Sequence, residues 1–134
     1  MQRLTYLTAP GCVRPEQISG FFVGWPTPPS AQQLVDVMDG SCRRVWALER
    51  DRVVGYVSAI SDGVLNAFIP WLEVHPDYQG RGVGSELMRR ILKELDGMYA
   101  VDLACDPELL GYYEQRGFVA GHVAHRRDPS VLRG

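Results

Sequence analysis

In the stretch Gln79-Gly80-Arg81-Gly82-Val83-Gly84-Ser85, three glycines in five positions stand directly before the best helical pattern in the chain. Glycine lets the backbone turn sharply and come close to a ligand, and the helix N-terminus after it carries unpaired N–H groups and a partial positive charge. Together these suit a pyrophosphate, and Arg81 could pair with a further phosphate. Two nucleotide motifs do not fit. A G-x-G-x-x-G fingerprint begun at Gly80 or Gly82 would need glycine where Ser85 or Leu87 stands, and a P-loop needs Gly-Lys-Ser/Thr, which is absent.

On the C-terminal side, Ser85 to Leu95 is the clearest helix, with Leu87, Ile91 and Leu95 on one line, Met88 and Leu92 beside it, and Arg89, Arg90, Lys93 and Glu94 opposite. Gly97 ends it. Tyr99 to Cys105 reads as a strand, Asp106-Pro107 as a helix start with Asp106 as N-cap, Gly117 as its stop, and Phe118 to Val123 as a last strand. A polar tail from Arg126 is expected to be mobile. Upstream, Val64 to Val74 is an extended run broken by Pro70, which a regular central strand would not tolerate, so a bulge or splayed edge is expected there. Val45 to Leu48 and Val53 to Ile60 form a hairpin across Glu49-Arg50-Asp51-Arg52, and Ser61-Asp62-Gly63 supplies the next turn. Ser30 is the expected N-cap of a helix over Ala31 to Met38 stopped by Gly40, while Gly24-Trp25-Pro26-Thr27-Pro28-Pro29 cannot be regular structure. Arg3 to Leu7 is a candidate first strand and Pro15 to Ile18 a short helix. The order β-α-α-β-β-β-α-β-α-β predicts an α/β fold, in which a central mixed sheet carries helices on both faces.

With 134 residues the chain is read as one domain, 1–134, and at 46% hydrophobic and 22% charged residues it should bury a real core. Its net charge of −2 argues against nucleic acid, which demands a basic excess. No run approaches the roughly 20 apolar residues that span a bilayer, and Met1-Gln2-Arg3-Leu4 does not lead into a signal-like stretch. Cys12, Cys42 and Cys105 are odd in number and lack a Cys-x-x-Cys pair, so neither a disulfide framework nor a metal site is indicated and a cytoplasmic location is expected. Phe21, Phe22 and Trp25 either line an acceptor pocket or pin the proline-rich loop to the core.

The glycine loop resembles the phosphate loop of the GNAT superfamily of acyl-CoA-dependent N-acetyltransferases, Gln/Arg-x-x-Gly-x-Gly/Ala, through Gln79, Gly82 and Gly84. The preceding Val74-His75-Pro76-Asp77-Tyr78 is similar, as is Tyr112-Tyr113-Glu114-Gln115-Arg116-Gly117-Phe118 to the family's aromatic-Tyr-Glu-x-x-Gly-Phe signature; the resemblance covers about Val64 to Val119. It implies a GNAT-like fold in which acetyl-CoA wedges where the strands ending near Val74 and Cys105 splay apart. The implied cofactor contacts are Leu72, Val74, Gln79, Gly80, Arg81, Gly82, Val83, Gly84, Ser85, Asp106 and Tyr113. Among them the Val74 N–H would polarise the thioester carbonyl, and Tyr113, a phenol of reference pKa about 10, would protonate the departing thiolate. Asp106 departs from the family's usual Asn and replaces a mixed donor and acceptor by a pure acceptor.

Deprotonating an amine acceptor at pH 7 costs roughly 4–5 kcal/mol, so a base is expected. Glu73 is the candidate, with Asp62 and His75 as weaker options; with Asp102 and Asp106, Asp62 and Glu73 hint at a small cationic amine. The implied activity is acetyl transfer to a primary amine by direct attack. Alternatives are acetylation of a protein lysine or N-terminus, and a catalytically silent acyl-CoA-binding module. Relatives of this kind often pair, so a homodimer is a further expectation.

Overall fold

A computed structural model describes residues 3–132; Met1 and Gln2, where no signal-like start is expected, and the last two residues of the polar tail lie outside it. The β-branched and aromatic residues at its centre pair as an antiparallel hairpin of β2 (Arg43–Glu49) and β3 (Arg52–Ser61), with Val45 opposite Val57 and Trp46 opposite Tyr56. Every residue from Val53 to Ala59 is buried, because helices and loops cover both faces of β3. Strand β1 (Thr5–Leu7) runs antiparallel to β2, β4 (Asn66–Val74) antiparallel to β3, and β5 (Ala100–Leu103) parallel to β4, giving the order β1-β2-β3-β4-β5. Asp62 builds the turn between β3 and β4: its carboxylate accepts from the Val64, Leu65 and Asn66 N–H groups at 2.8, 2.8 and 3.1 Å, which holds its pKa below the usual carboxylate range.

Helix α1 (Ala31–Gly40) starts at a reciprocal cap, where Ser30 Oγ accepts from the Gln33 N–H and Gln33 Oε1 accepts from the Ser30 N–H. It buries Leu34 and Met38 against Trp46, Leu48, Val53 and Tyr56. Gly40 closes the helix from within its last turn. Beyond it, buried Arg44 donates to three carbonyls, those of Met38 at 2.7 Å, Thr8 at 2.9 Å and Ser41 at 2.6 Å, tying the ends of β1 and α1 to β2.

Helix α2 (Val83–Glu94) lies on the other face and lays Leu87, Met88 and Ile91 over Val45, Ala47, Val54 and Val57. On its outer face Glu86 binds Arg89 and Arg90 at 2.6 Å, and these contacts lower its pKa to about 2. The helix begins two residues before the expected Ser85, because the turn into it is made by Gly82 with φ of 81°.

The C-terminal third departs from the pattern expected of it. The helix after Asp106 splits into a 3-10 turn, Pro107–Leu109, and a short α3, Leu110–Glu114; Pro107 takes the first position as anticipated, but the Asp106 side chain makes no capping bond. The strand expected over Phe118 to Val123 does not form. Phe118 folds back onto Tyr113, and the residues after it stay exposed, Val119 at 92%, so their alternating pattern finds no strand to pair with. The tail, expected to be free from Arg126, makes a 3-10 turn at Pro129–Val131 and accepts a hydrogen bond at the Val131 carbonyl from Gln33 of α1.

Leu87 fills the seam between α2 and the sheet with no exposed surface, so Leu87→Ala should cost about 2–5 kcal/mol of unfolding free energy in a denaturant titration.

Candidate active site

The ladder between β4 and β5 starts at Asn66 opposite Ala100 and stops at Ile69 opposite Leu103. Between Phe68, opposite Ile60, and Trp71, opposite Ser58, β4 takes three steps while β3 takes two, so the expected bulge falls at Ile69 and Pro70. Proline has no N–H to offer a neighbour, and past it β4 continues to Val74 with β5 no longer beside it. The His75 N–H donates to the Val54 carbonyl at 2.8 Å, so alternation along the antiparallel pair turns the N–H and C=O of Val74 and Leu72 away from β3 and into the gap that β5 has left. Gln79 reaches into this gap and donates through Nε2 to the Val74 carbonyl at 3.2 Å.

The next loop holds Gly80 and Gly82 at φ of 77° and 81°, a left-handed region that only glycine enters freely. Gly84 sits on Val74: a side-chain carbon there would meet Val74 Cγ2 at 3.5 Å. The arrangement leaves the first N–H groups of α2, from Val83 onward, at the mouth of the gap. Arg81 lies over the Tyr78 ring at 5.1 Å. A second cation stands here that no motif flagged, Arg116. It stacks on Tyr112 at 3.6 Å, donates to the Tyr112 carbonyl at 2.9 Å, and lies 3.4 Å from Ser85 Oγ in the first turn of α2. No carboxylate pairs with it among the described residues.

The Tyr-Glu-x-x-Gly-Phe signature has a local physical cause. Gly117, at φ of 91°, closes α3 so that its own N–H donates to the Glu114 carbonyl and the Phe118 N–H to that of Tyr113, while the Phe118 ring packs on Tyr113 at 5.7 Å. This fixes Tyr113, 7% exposed, in the same cluster as Val74, Leu72 and Cys105. Burial, with smaller contributions from Tyr112 and Cys105, pushes its phenol above the ordinary value, so it stays protonated at neutral pH. Its hydroxyl makes no hydrogen bond among the described residues.

Alternation along β4 sends Trp71 and Glu73 to the opposite face, where α1 and the proline-rich loop lie. Glu73 Oε1 accepts from the Tyr56 hydroxyl and Oε2 from the Phe22 N–H, both at 2.8 Å. Phe22 has a φ of 61°, strained for a non-glycine residue, and the Glu73 bond is what its turned amide meets. Burial and the Glu73 charge together push the Tyr56 phenol far up, keeping it a donor. Trp25 stacks on Trp71 with centroids 5.9 Å apart, and Phe22 packs edge-on to both.

Two weaker base options fall away. Asp62 lies at the start of β4, at the opposite end from Glu73, and is consumed by its turn. His75 is buried, with Nδ1 accepting from the Asp77 N–H at 3.1 Å and Nε2 2.8 Å from Arg52 Nη2. It backs the loop instead: a side-chain carbon on Gly20 would fall 2.3 Å from its Nε2. Asp106 is exposed, three residues past the end of β5 at the start of the 3-10 turn, and Asp102 pairs opposite Phe68 inside the closed part of the ladder. Among the described residues no group of His, Cys, Asp and Glu could hold a metal, and no helix is long and apolar enough to cross a membrane.

An opened parallel pair with a glycine-led helix at its mouth defines an acyltransferase architecture, and residues 12–118 match the acetyltransferase (GNAT) family, to which the chain belongs. A Deinococcus radiodurans R1 protein classed as an acetyltransferase is similar at 38% identity and a TM-score of 0.90, over 97% of this chain and 95% of that one. The GNAT family protein SP0256 of Streptococcus pneumoniae TIGR4 is similar at 28% identity and a TM-score of 0.72, over 94% of this chain and 100% of that one. An uncharacterized N-acetyltransferase, ycf52, of Gracilaria tenuistipitata var. liui is 28% identical over 84% of this chain, which spans 60% of that protein's length.

Glu73→Ala strands the Tyr56 hydroxyl and the Phe22 N–H and should lower unfolding free energy by about 1–3 kcal/mol. Glu73→Gln keeps an acceptor for Phe22 and should cost clearly less in the same thermal scan.

Proposed function

We propose that the chain is an N-acetyltransferase that passes an acetyl group from acetyl-CoA to a primary amine by direct attack. The observation that carries this reading is the division of labour around Val74: its N–H faces the β4–β5 gap, a protonated Tyr113 shares its cluster, and Glu73 stands on the opposite face of the same strand. The residues fit acetyl-CoA. Gly80, Gly82 and the first turn of α2 offer N–H donors without side chains in the way, Arg81 and Arg116 add cations, and Leu72 and Val74 present a strand edge to a pantetheine arm. When bound, acetyl-CoA supplies a thioester whose carbonyl carbon forms the new C–N bond as its C–S bond breaks.

The chain's own groups act on either side of that event. The Val74 N–H donates to the carbonyl oxygen as it gains charge. The Tyr113 hydroxyl gives its proton to the departing sulfur. Glu73 takes the proton from the amine, directly or through water, on the face where the acceptor enters. A reducing, cytosolic setting agrees with three unpaired cysteines.

A second reading, an acyl-CoA-binding module without turnover, is favoured by one observation: both Glu73 oxygens already hold structural hydrogen bonds. Thiol release on adding acetyl-CoA and a panel of amines, lysine peptides included, separates the two. Binding is checked independently by thermal unfolding, where acetyl-CoA at about 100 times its Kd should stabilise by about 2.7 kcal/mol.

Tyr113→Phe should lower kcat about 100-fold while leaving acetyl-CoA affinity intact, and in the parent enzyme the loss of acid function at alkaline pH should fall above the ordinary phenol range because burial raises the phenol's pKa. Arg116→Ala should weaken acetyl-CoA binding about tenfold, with a smaller loss at high salt, measured by calorimetry. Glu73→Gln should lower kcat/KM about 100-fold while leaving acetyl-CoA affinity unchanged.

A further inference from the structure

Resting on the proposed amine-acetylating site, we infer that its acceptor carries the amine on a flat, apolar body, and that Trp25 with Trp71 is the surface on which that body lies. The wall is made of three rings. Trp71 and Trp25 are stacked, with an interplanar angle of 26°, and Phe22 packs edge-on to both. Trp25 keeps 43% of its surface exposed although it sits in a stack, so one large indole is presented to solvent beside the reacting end of β4.

The position is what gives the wall a ligand. Trp71 precedes Glu73 by two residues on one strand, so both point to the same face about 7 Å apart. A carboxylate thus stands one short alkyl spacer away from an aromatic surface, a pairing that matches an ammonium group on a planar ring. Of the acidic residues that hint at a small cationic amine, Asp62 is consumed by its turn, Asp102 sits in the closed ladder and Asp106 lies past the end of β5, whereas Glu73 meets Phe22 of the ring wall directly.

The loop is also built in advance. Gly20, Phe22 and Gly24 all have φ between 61° and 84°, Pro26, Pro28 and Pro29 stiffen the segment after them, and the Trp25 N–H donates to the Phe22 carbonyl at 3.2 Å. A rigid aromatic surface binds with little loss of conformational freedom.

The test compares 2-phenylethylamine, n-propylamine and spermidine. Thiol release gives kcat/KM for each, and calorimetry on the protein saturated with CoA gives their affinities whether or not turnover occurs. The expected result is a preference of about tenfold or more for 2-phenylethylamine over n-propylamine, carried by KM and by affinity. Trp25→Ala should abolish that preference and Trp25→Phe restore most of it, with acetyl-CoA affinity as the check on folding. Equal affinity for the ringed and ringless amines, a preference for spermidine, or an unchanged ratio in Trp25→Ala would overturn the inference. Ring-dependent binding without thiol release would uphold it and count against the transferase reading instead.

Discussion

Everything in the site depends on where β4 and β5 stop being neighbours. A parallel ladder closes every N–H and C=O between its strands, and a ligand can approach the backbone only where that ladder ends. Here it ends after Ile69 and Leu103, next to a proline that has no N–H to give and a bulge that shifts register by one residue. Past Pro70, Trp71 to Val74 run on with one edge open, and Leu72 and Val74 are the two whose polar groups face outward. The glycine loop, α2 and α3 then gather at the mouth of that opening because they come directly after β4 and β5 in the chain.

The open segment has two sides, and period-2 alternation assigns them different tasks. Leu72 and Val74 join the core that contains Tyr113, whereas Trp71 and Glu73 join the core that contains α1 and the aromatic loop. In the proposed transfer the donor would lie along the open edge at Leu72 and Val74 while the acceptor arrives on the face of Trp71 and Glu73. Glu73 carries a double load: it fixes the strained Phe22 turn through one oxygen and meets Tyr56 through the other. The strained loop and the sheet are therefore joined through one carboxylate, the same one proposed as the base.

Much of the framework was legible because its signals are local. The hairpin, the Ser30 cap, the apolar line of α2 and the break at Pro70 each arise from neighbouring residues, and each appears where the pattern placed it. Phe118 to Val123 misled because alternation states only that a segment can be a strand; whether it becomes one depends on a partner edge, and the close of α3 carries the chain away from β5. The residues missed at the site share one property. Tyr56 reaches Glu73 through the register of β3 against β4, Trp71 meets Trp25 across 46 positions, and Arg116 meets Ser85 across 31, so no window of sequence contains both partners. The burial of His75 has the same origin, because the loop that covers it lies more than fifty residues upstream.

Arg44 bears on how this fold can diversify. Its three carbonyl bonds tie the ends of β1 and α1 to the sheet, and the Glu73 bond to Phe22 ties the loop between them at a second point. Between these two rivets Val13, Leu34 and Met38 pack on Trp46, Leu48, Val53 and Tyr56 of the sheet, while the β4–β5 gap, the glycine loop and α3 are built from residues that come later in the sequence. The exposed turn from Val23 to Thr27 can change without touching the residues that line the β4–β5 gap, so the two faces of β4 are free to vary at different rates.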